Sequence, residues 1–212
     1  MKVSIEKIKA HHAGLNLNQY QQLLACYGHL NNAINHLKNK EIDSALKLSK
    51  YNSNSLLHPN TKAIHATHIW QENRYNHLVD DKSHHYPPLF HHLHEPPILF
   101  YARGDLSLLH RKKKAAIIGS RNATYTGLKA ARAFARELSQ NEITVVSGMA
   151  MGIDAAAHDG ALNHVGKTIA VLGMDIDRIY PLENKRLYHR IQQDGLIISE
   201  TPLMSTYNPS FF

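Results

Sequence analysis

The segment from Ala115 to Ile198 constrains the fold of this chain more than any other. It holds four short apolar runs: Ala115–Ile118, Ile143–Val146, Thr168–Leu172 and Leu196–Ile198. Each is too short for a helix and rich enough in Ile and Val for a buried strand. A helical pattern separates each run from the next. Leu128, Ala131, Phe134, Ala135 and Leu138 fall on one face of the first helix; Ile153, Ala156, Ala157, Gly160 and Ala161 on one face of the second; Leu187 and Ile191 on one face of the third. Strands alternating with helices require crossover connections, which predicts an α/β fold with a parallel sheet and helices on both faces.

In such sheets a ligand binds beyond the carboxyl ends of the strands. The first strand runs into Gly119-Ser120-Arg121, the second into Ser147-Gly148-Met149-Ala150-Met151-Gly152 and the third into Gly173. Glycine lets a backbone approach a ligand closely, and a helix start offers N–H groups to an anion. Arg121 would add a forked donor suited to phosphate; its alternative is a surface salt bridge. Tyr180-Pro181 and Asn184-Lys185-Arg186 open the third helix. A ring beside two cations suits stacking plus phosphate neutralisation, the means by which single strands are held without sequence preference. The alternative is a solvated charge pair at a helix start.

Other chemistry lacks its signature. GSRNATYTG is neither the GxxxxGK[ST] of a nucleotide-triphosphate loop nor the GxGxxG of a dinucleotide site. Asp154 and His158 are four apart on a helix but come with no nucleophile. Asp154 is expected to meet the helix dipole and His158 to pack or pair locally. No Ser-His-Asp arrangement follows from Ser147, Ser199 and Glu200. Several of the seventeen histidines gather between His84 and His94, but in a proline-rich connector without cysteine, which does not predict a zinc site. The basic run Arg111–Lys114 enters the first strand at the end away from the glycine loops and is expected to be a solvated face.

The chain has 212 residues, a net charge of +7 and a pI near 9.4, which favours a polyanionic partner. The one cysteine, Cys26, excludes an intramolecular disulfide and is expected to be a small buried hydrophobe. No apolar run reaches membrane-spanning length and the start carries no signal-peptide core, so a cytoplasmic protein without membrane contact is expected. Three regions are expected: a small helical domain over 1–65, a connector with a short strand over 66–110, and the strand–helix domain over 111–212. Within the first, Tyr20, Leu23, Leu24 and Tyr27 line one helix, Gly28 makes a turn, and Asn31 is a candidate cap for a second helix. Residues 51–65 are polar and read as a link; prolines exclude a long helix over 83–97.

GSR after the first strand, SGMAMGIDAAAHDGAL after the second, then GKTIAVLG, DRIYPLENKRL and ISE resemble the DNA-processing protein A (DprA, also called Smf) family. YPPLF and EPPILFYARGD extend the likeness upstream, and LLACYGHLNNAI looks like that family's small helical, sterile-alpha-motif-like domain. The resemblance implies a Rossmann-like domain that binds single-stranded DNA during natural transformation, protects it and helps load a RecA-type recombinase. It implies a cytoplasmic protein that often dimerises, needs no cofactor or metal and is not an enzyme. Matched to the family pattern, the DNA- or phosphate-binding residues are Gly119, Ser120, Arg121, Ser147, Gly148, Gly152, Lys167, Tyr180, Asn184, Lys185 and Arg186. The competing reading is a nucleotide-processing enzyme of the lysine-decarboxylase-like phosphoribohydrolase type, whose PGGxGTxxE motif does not occur here; a third is a truncated remnant without function. Two departures stand out. Asp175 occupies a position where the family usually has glycine, and the family pattern continues past Phe212 with an Arg-Asn-Arg segment and further strands.

Overall fold

The computed structural model describes residues 2–39, 46 and 48–205. The chain divides into two compact units: Met1–Arg74 with Leu78–Phe100 and Pro202–Met204, and Tyr75–His77 with Tyr101–Thr201 and Ser205–Phe212.

The first unit is built from short helices, and side-chain caps decide where they start. In α1 (Ile5–His12) the Ser4 hydroxyl accepts the Lys7 N–H. Asn16 and Gln19 form a reciprocal capping box at the start of α2 (Leu17–Tyr27), which satisfies two amides that the helix cannot. Gly28 ends that helix with φ +74°. The next helix, α3 (Leu30–Lys38), starts at His29, which offers no side-chain cap. Asn31 therefore lies inside the helix, and the capping role falls to Glu6 of α1, whose carboxylate accepts the Leu30 N–H at 2.5 Å. Tyr20, Leu23, Leu30, Ala33, Leu56 and Ile98 are fully or nearly buried in one cluster, with Tyr27 and Leu37 packed against it.

Cys26 is exposed, contrary to the expectation of a buried thiol. Tyr20, Leu23 and Tyr27 repeat at helical spacing towards the core, and Cys26 falls between their turns. Residues 51–65 are not a link. They hold most of α4 (Lys50–Leu57) and the first half of α5 (Thr61–Trp70). Ser49 and Asn52 form a second capping box, and Asn60 caps α5. Asn52 then donates from Nδ2 to the Ala13 and Gly14 carbonyls at 2.9 Å each, tying α4 to the loop after α1. The polar residues that resemble a linker are thus capping and bridging groups.

In the second unit, β3 (Lys114–Ala116), β4 (Thr144–Ser147), β5 (Thr168–Leu172) and β6 (Leu196–Ser199) form a parallel sheet, each strand within two residues of its expected bounds. To these are added β1 (Asn76–Asp80) and β2 (Leu99–Gly104), in the order β1-β2-β6-β5-β4-β3. Because β2 pairs with β6 antiparallel, the sheet is mixed. The α/β class expected from the alternation is the one observed, with a small helical N-terminal part before it.

The crossovers carry α6 (Tyr125–Gln140), α7 (Ile153–Ala161) and α8 (Lys185–Asp194). A run of alanines and Gly160 lets α6 and α7 approach backbone to backbone: a Cβ on Gly160 would lie 2.3 Å from the Arg132 carbonyl oxygen. Ala135, Val145, Ala157 and Ala161 fill the space beneath. Phe134 does not share that face; it is 70% exposed. Its position lies about 100° around the helix from the middle of the stripe made by Ala131, Ala135 and Ser139, all buried.

Candidate functional site

The parallel strands end together, and hydrogen bonds weld their loops. Ile117 donates its N–H to Val146, and the buried Ser147 hydroxyl donates to the Ile117 carbonyl at 2.6 Å. The Ile153 N–H, at the start of α7, donates to the Ser120 carbonyl at 3.2 Å. Gly152 has φ +80°, and a Cβ there would sit 2.2 Å from that same carbonyl oxygen. A substituent on Gly119 would fall 2.7 Å from the Ile153 side chain. These two glycines therefore admit loop against loop, and Gly119 also lines the cleft at this end of the sheet. The helix-start amides differ from the expectation that they are offered to an anion: Ile153 and Ala155 donate to Ser120 and Ala150.

Asp154 is the group that sequence reasoning undervalued. It is 5% exposed and accepts the Gly148 N–H at 3.0 Å. The Gly148 amide is thus committed to a carboxylate. An aspartate in the first turn of a helix is the signal that could have shown it. Four residues on, His158 is fully buried and hydrogen-bonds through Nδ1 to the Thr168 hydroxyl at 2.7 Å.

Above this frame lies a cleft of about 370 Å³ lined by Ile118, Gly119, Arg121, Gly148, Asp154 and Val171, among others. Arg121 is exposed at its rim. Ile118 and Val171 are exposed by 77% and 43%, so the walls are partly apolar. Asn184 joins the same end of the sheet: its Nδ2 donates to the Met149 and Ala150 carbonyls at 2.8 and 3.2 Å. The start of α8, with exposed Lys185 and Arg186, is thereby fixed beside the glycine loop, and Tyr180 is half exposed before the cis bond to Pro181.

Gly119, Ser120, Arg121, Ser147, Gly148, Gly152 and Asn184 are thus brought together, and Tyr180, Lys185 and Arg186 flank them. Lys167 is not. It precedes β5 at the amino end of the strand, and its ammonium lies 3.3 Å from the Asp105 carboxylate. Arg111 and Lys114 sit at the amino end of β3, away from the cleft. Asp175 turns its carboxylate onto its own turn, where Oδ1 accepts the Asp177 N–H at 2.9 Å. Residues 206–212 lie outside the described residues.

A sequence profile described as DNA recombination-mediator protein A matches residues 77–212. The chain belongs to this family. It is 43% identical over 115 residues to DNA processing protein DprA of Streptococcus pneumoniae, covering 54% of this chain and 40% of that protein. It is 35% identical over 143 residues to Protein Smf of Escherichia coli K12, covering 67% and 38%. The chain spans about two fifths of the length of these curated relatives. Among solved structures, DprA from Streptococcus pneumoniae superposes with a TM-score of 0.72 at 26% identity, covering all of this chain and 72% of that one. A DNA processing protein A from Helicobacter pylori, described by its single-stranded DNA binding mode, superposes with a TM-score of 0.58 at 34% identity, covering 65% and 60%. Among the described residues no helix is long and apolar enough to cross a membrane.

Proposed function

We propose that this recombination-mediator family member binds single-stranded DNA in the cleft at the carboxyl ends of β3, β4 and β5, acting in the cytoplasm in the DNA processing that accompanies natural transformation. The observation that supports this most is the meeting of Arg121 with partly apolar walls, Ile118 and Val171, in one cleft. A guanidinium takes a phosphate by two hydrogen bonds, and apolar surface takes a base or sugar of any sequence. The buried Asp154 carboxylate, already paired with the Gly148 amide, keeps an anion away from the floor and towards Arg121. Lys185 and Arg186 add charge on the α8 side. Protection of the strand and its delivery to a RecA-type recombinase, with the protein acting as a homodimer and as a binder rather than an enzyme, complete the proposal.

The test compares Arg121→Ala with Arg111→Ala. Both remove one charge; only Arg121 lines the cleft. By fluorescence anisotropy on a labelled oligonucleotide, Arg121→Ala is expected to cost about 1–3 kcal/mol, the range for charge-assisted hydrogen bonds. It should also lower the salt slope by about one phosphate contact, while Arg111→Ala changes little. Equal losses would mean that net charge alone matters and would remove the cleft from the proposal.

A further inference from the structure

The helix that leaves the cleft carries a second, continuous feature. Tyr125, Lys129, Arg132 and Arg136 repeat at four, three and four residues along α6, which places them in one stripe. All four are exposed, Tyr125 by 81%. The stripe begins four residues after Arg121 and runs for about 16 Å at the helical rise. Ala131, Ala135 and Ser139, which face the core, lie on a different side, so the stripe is not forced by packing.

Arg132 is held in place rather than left to wave. Its Nε donates to Asp159 Oδ2 at 3.0 Å, while Arg190 of α8 donates from Nη1 to Asp159 Oδ1 at 2.8 Å and from Nη2 to Asn163 at 3.4 Å. Desolvation pushes the Asp159 carboxyl up, but the hydrogen bonds from Arg190 and Arg132 outweigh it and hold the group below the usual carboxylate range. The contact of Arg132 with Asp159 is made through Nε. Lys129 and Arg136 have no ion-pair partner among the described residues. The acid next to Arg136, Glu137, lies a third of a turn away and accepts from Asn141 instead. Asp159 is thus paired with two cations, Arg132 and Arg190, and neighbouring positions of the stripe have Cβ atoms about 5–6 Å apart, a spacing comparable with the phosphates of an extended single strand.

We propose that a single strand leaving the cleft continues along α6, with a base stacked on Tyr125 and successive phosphates on Lys129, Arg132 and Arg136. This rests on the cleft binding single-stranded DNA and lengthens its footprint. A stacked ring at the mouth followed by a basic track is how strands are held without sequence preference. An acidic protein surface would use the same cations but would not need the ring, nor the continuity with Arg121.

The experiment uses the full chain and two oligothymidylates, one of about six nucleotides and one of about twenty, spanning the footprints of such sites. Lys129→Glu with Arg136→Glu should weaken the long oligonucleotide at least about tenfold and lower its salt slope by about two phosphates, leaving the short one as in wild type. Lys112→Glu with Lys113→Glu, an equal charge change before β3, should leave both unaltered. Tyr125→Ala should weaken the long oligonucleotide at high salt, where phosphate contacts are screened. Unchanged binding of the long oligonucleotide by the α6 variant, with a wild-type melting curve, overturns the proposal; so do equal losses on both lengths, or from both charge-reversal pairs. Loss of both lengths on Arg121→Ala supports the cleft independently. Binding of neither length by wild type sinks the cleft reading itself.

Discussion

His158 shows how one side chain acquires a fixed protonation state from its neighbours. The Thr168 hydroxyl donates to the Val145 carbonyl at 2.8 Å, so towards His158 it can only accept. The imidazole therefore carries its proton on Nδ1, and Nε2 has no partner among the described residues. A second proton would place a charge in a fully buried site. Burial accordingly lowers the His158 pKa to about 4, with the Ser147 backbone opposing only in part. Above the unfolded value of 6.5 His158 is neutral in both states and contributes no pH dependence. As pH falls from 6.5 to 4 the unfolded chain takes up the proton first, and stability on the order of 3 kcal/mol is lost. His158→Asn keeps a donor for Thr168 and removes the titration. Its denaturant-derived stability should be lower than wild type at neutral pH but should fall less between pH 6.5 and 4. His12, also lowered to about 4 by burial, should leave a residual slope in both proteins. A variant slope equal to wild type would mean that His158 protonates without cost. Sequence spacing put His158 on the helix face of Asp154, with local packing or pairing expected, but its tautomer depends on Thr168 and Val145, on two strands. The committed amides of Gly148, Ile153 and Ala155 were hidden for the same reason: glycine and serine at a strand end look alike whether their groups meet a ligand or another loop.

The helices and strands were legible to the degree that their patterns were apolar. The four parallel strands and three crossover helices follow from Ile, Val and Ala runs. β1, with only Leu78 and Val79 as strong apolar residues, left no such mark, and neither did α4 and α5, whose starts are set by Ser49 and Asn60. Gly160 is a case where position on an element overrides propensity. A glycine in a helix normally costs about 0.5–1 kcal/mol relative to alanine, so Gly160→Ala should stabilise an isolated α7. Here the added methyl would meet the Arg132 carbonyl oxygen at 2.3 Å, backbone against backbone, with no flexible side chain to give way. α6 must then move off α7. The substitution should destabilise the protein by about 1–3 kcal/mol, the range for overpacking, read as a lower thermal midpoint. A raised midpoint would show that the α6–α7 contact is looser than the Gly160 environment implies. Lys7 makes the analogous case in the helical unit. Its nearly buried ammonium lies 2.7 Å from Asp80 and 2.5 Å from Asp81, a pairing of α1 with the end of β1. Lys7→Ala leaves two crowded carboxylates and should cost about 3–5 kcal/mol.

For the molecule as a whole, the net charge of +7 and the cleft make different demands on a polyanion. Charge alone attracts duplex as well as single strands, and that attraction falls with salt for both. A cleft of about 370 Å³ is on the scale of a single nucleotide rather than of a duplex. Its apolar walls at Ile118 and Val171 reward an unpaired base, which a duplex keeps stacked inside. The preference for single strands should therefore grow as salt rises, because screening removes the charge term common to both and leaves the cleft term. The measurement is the ratio of duplex to single-strand Kd at several ionic strengths, for sequences of matched length. Ile118→Asp with Val171→Asp should collapse the ratio at high salt, while Lys112→Glu with Lys113→Glu, away from the cleft, should leave the ratio standing. A ratio near one at every salt concentration would assign binding to surface charge and leave the cleft no part in it.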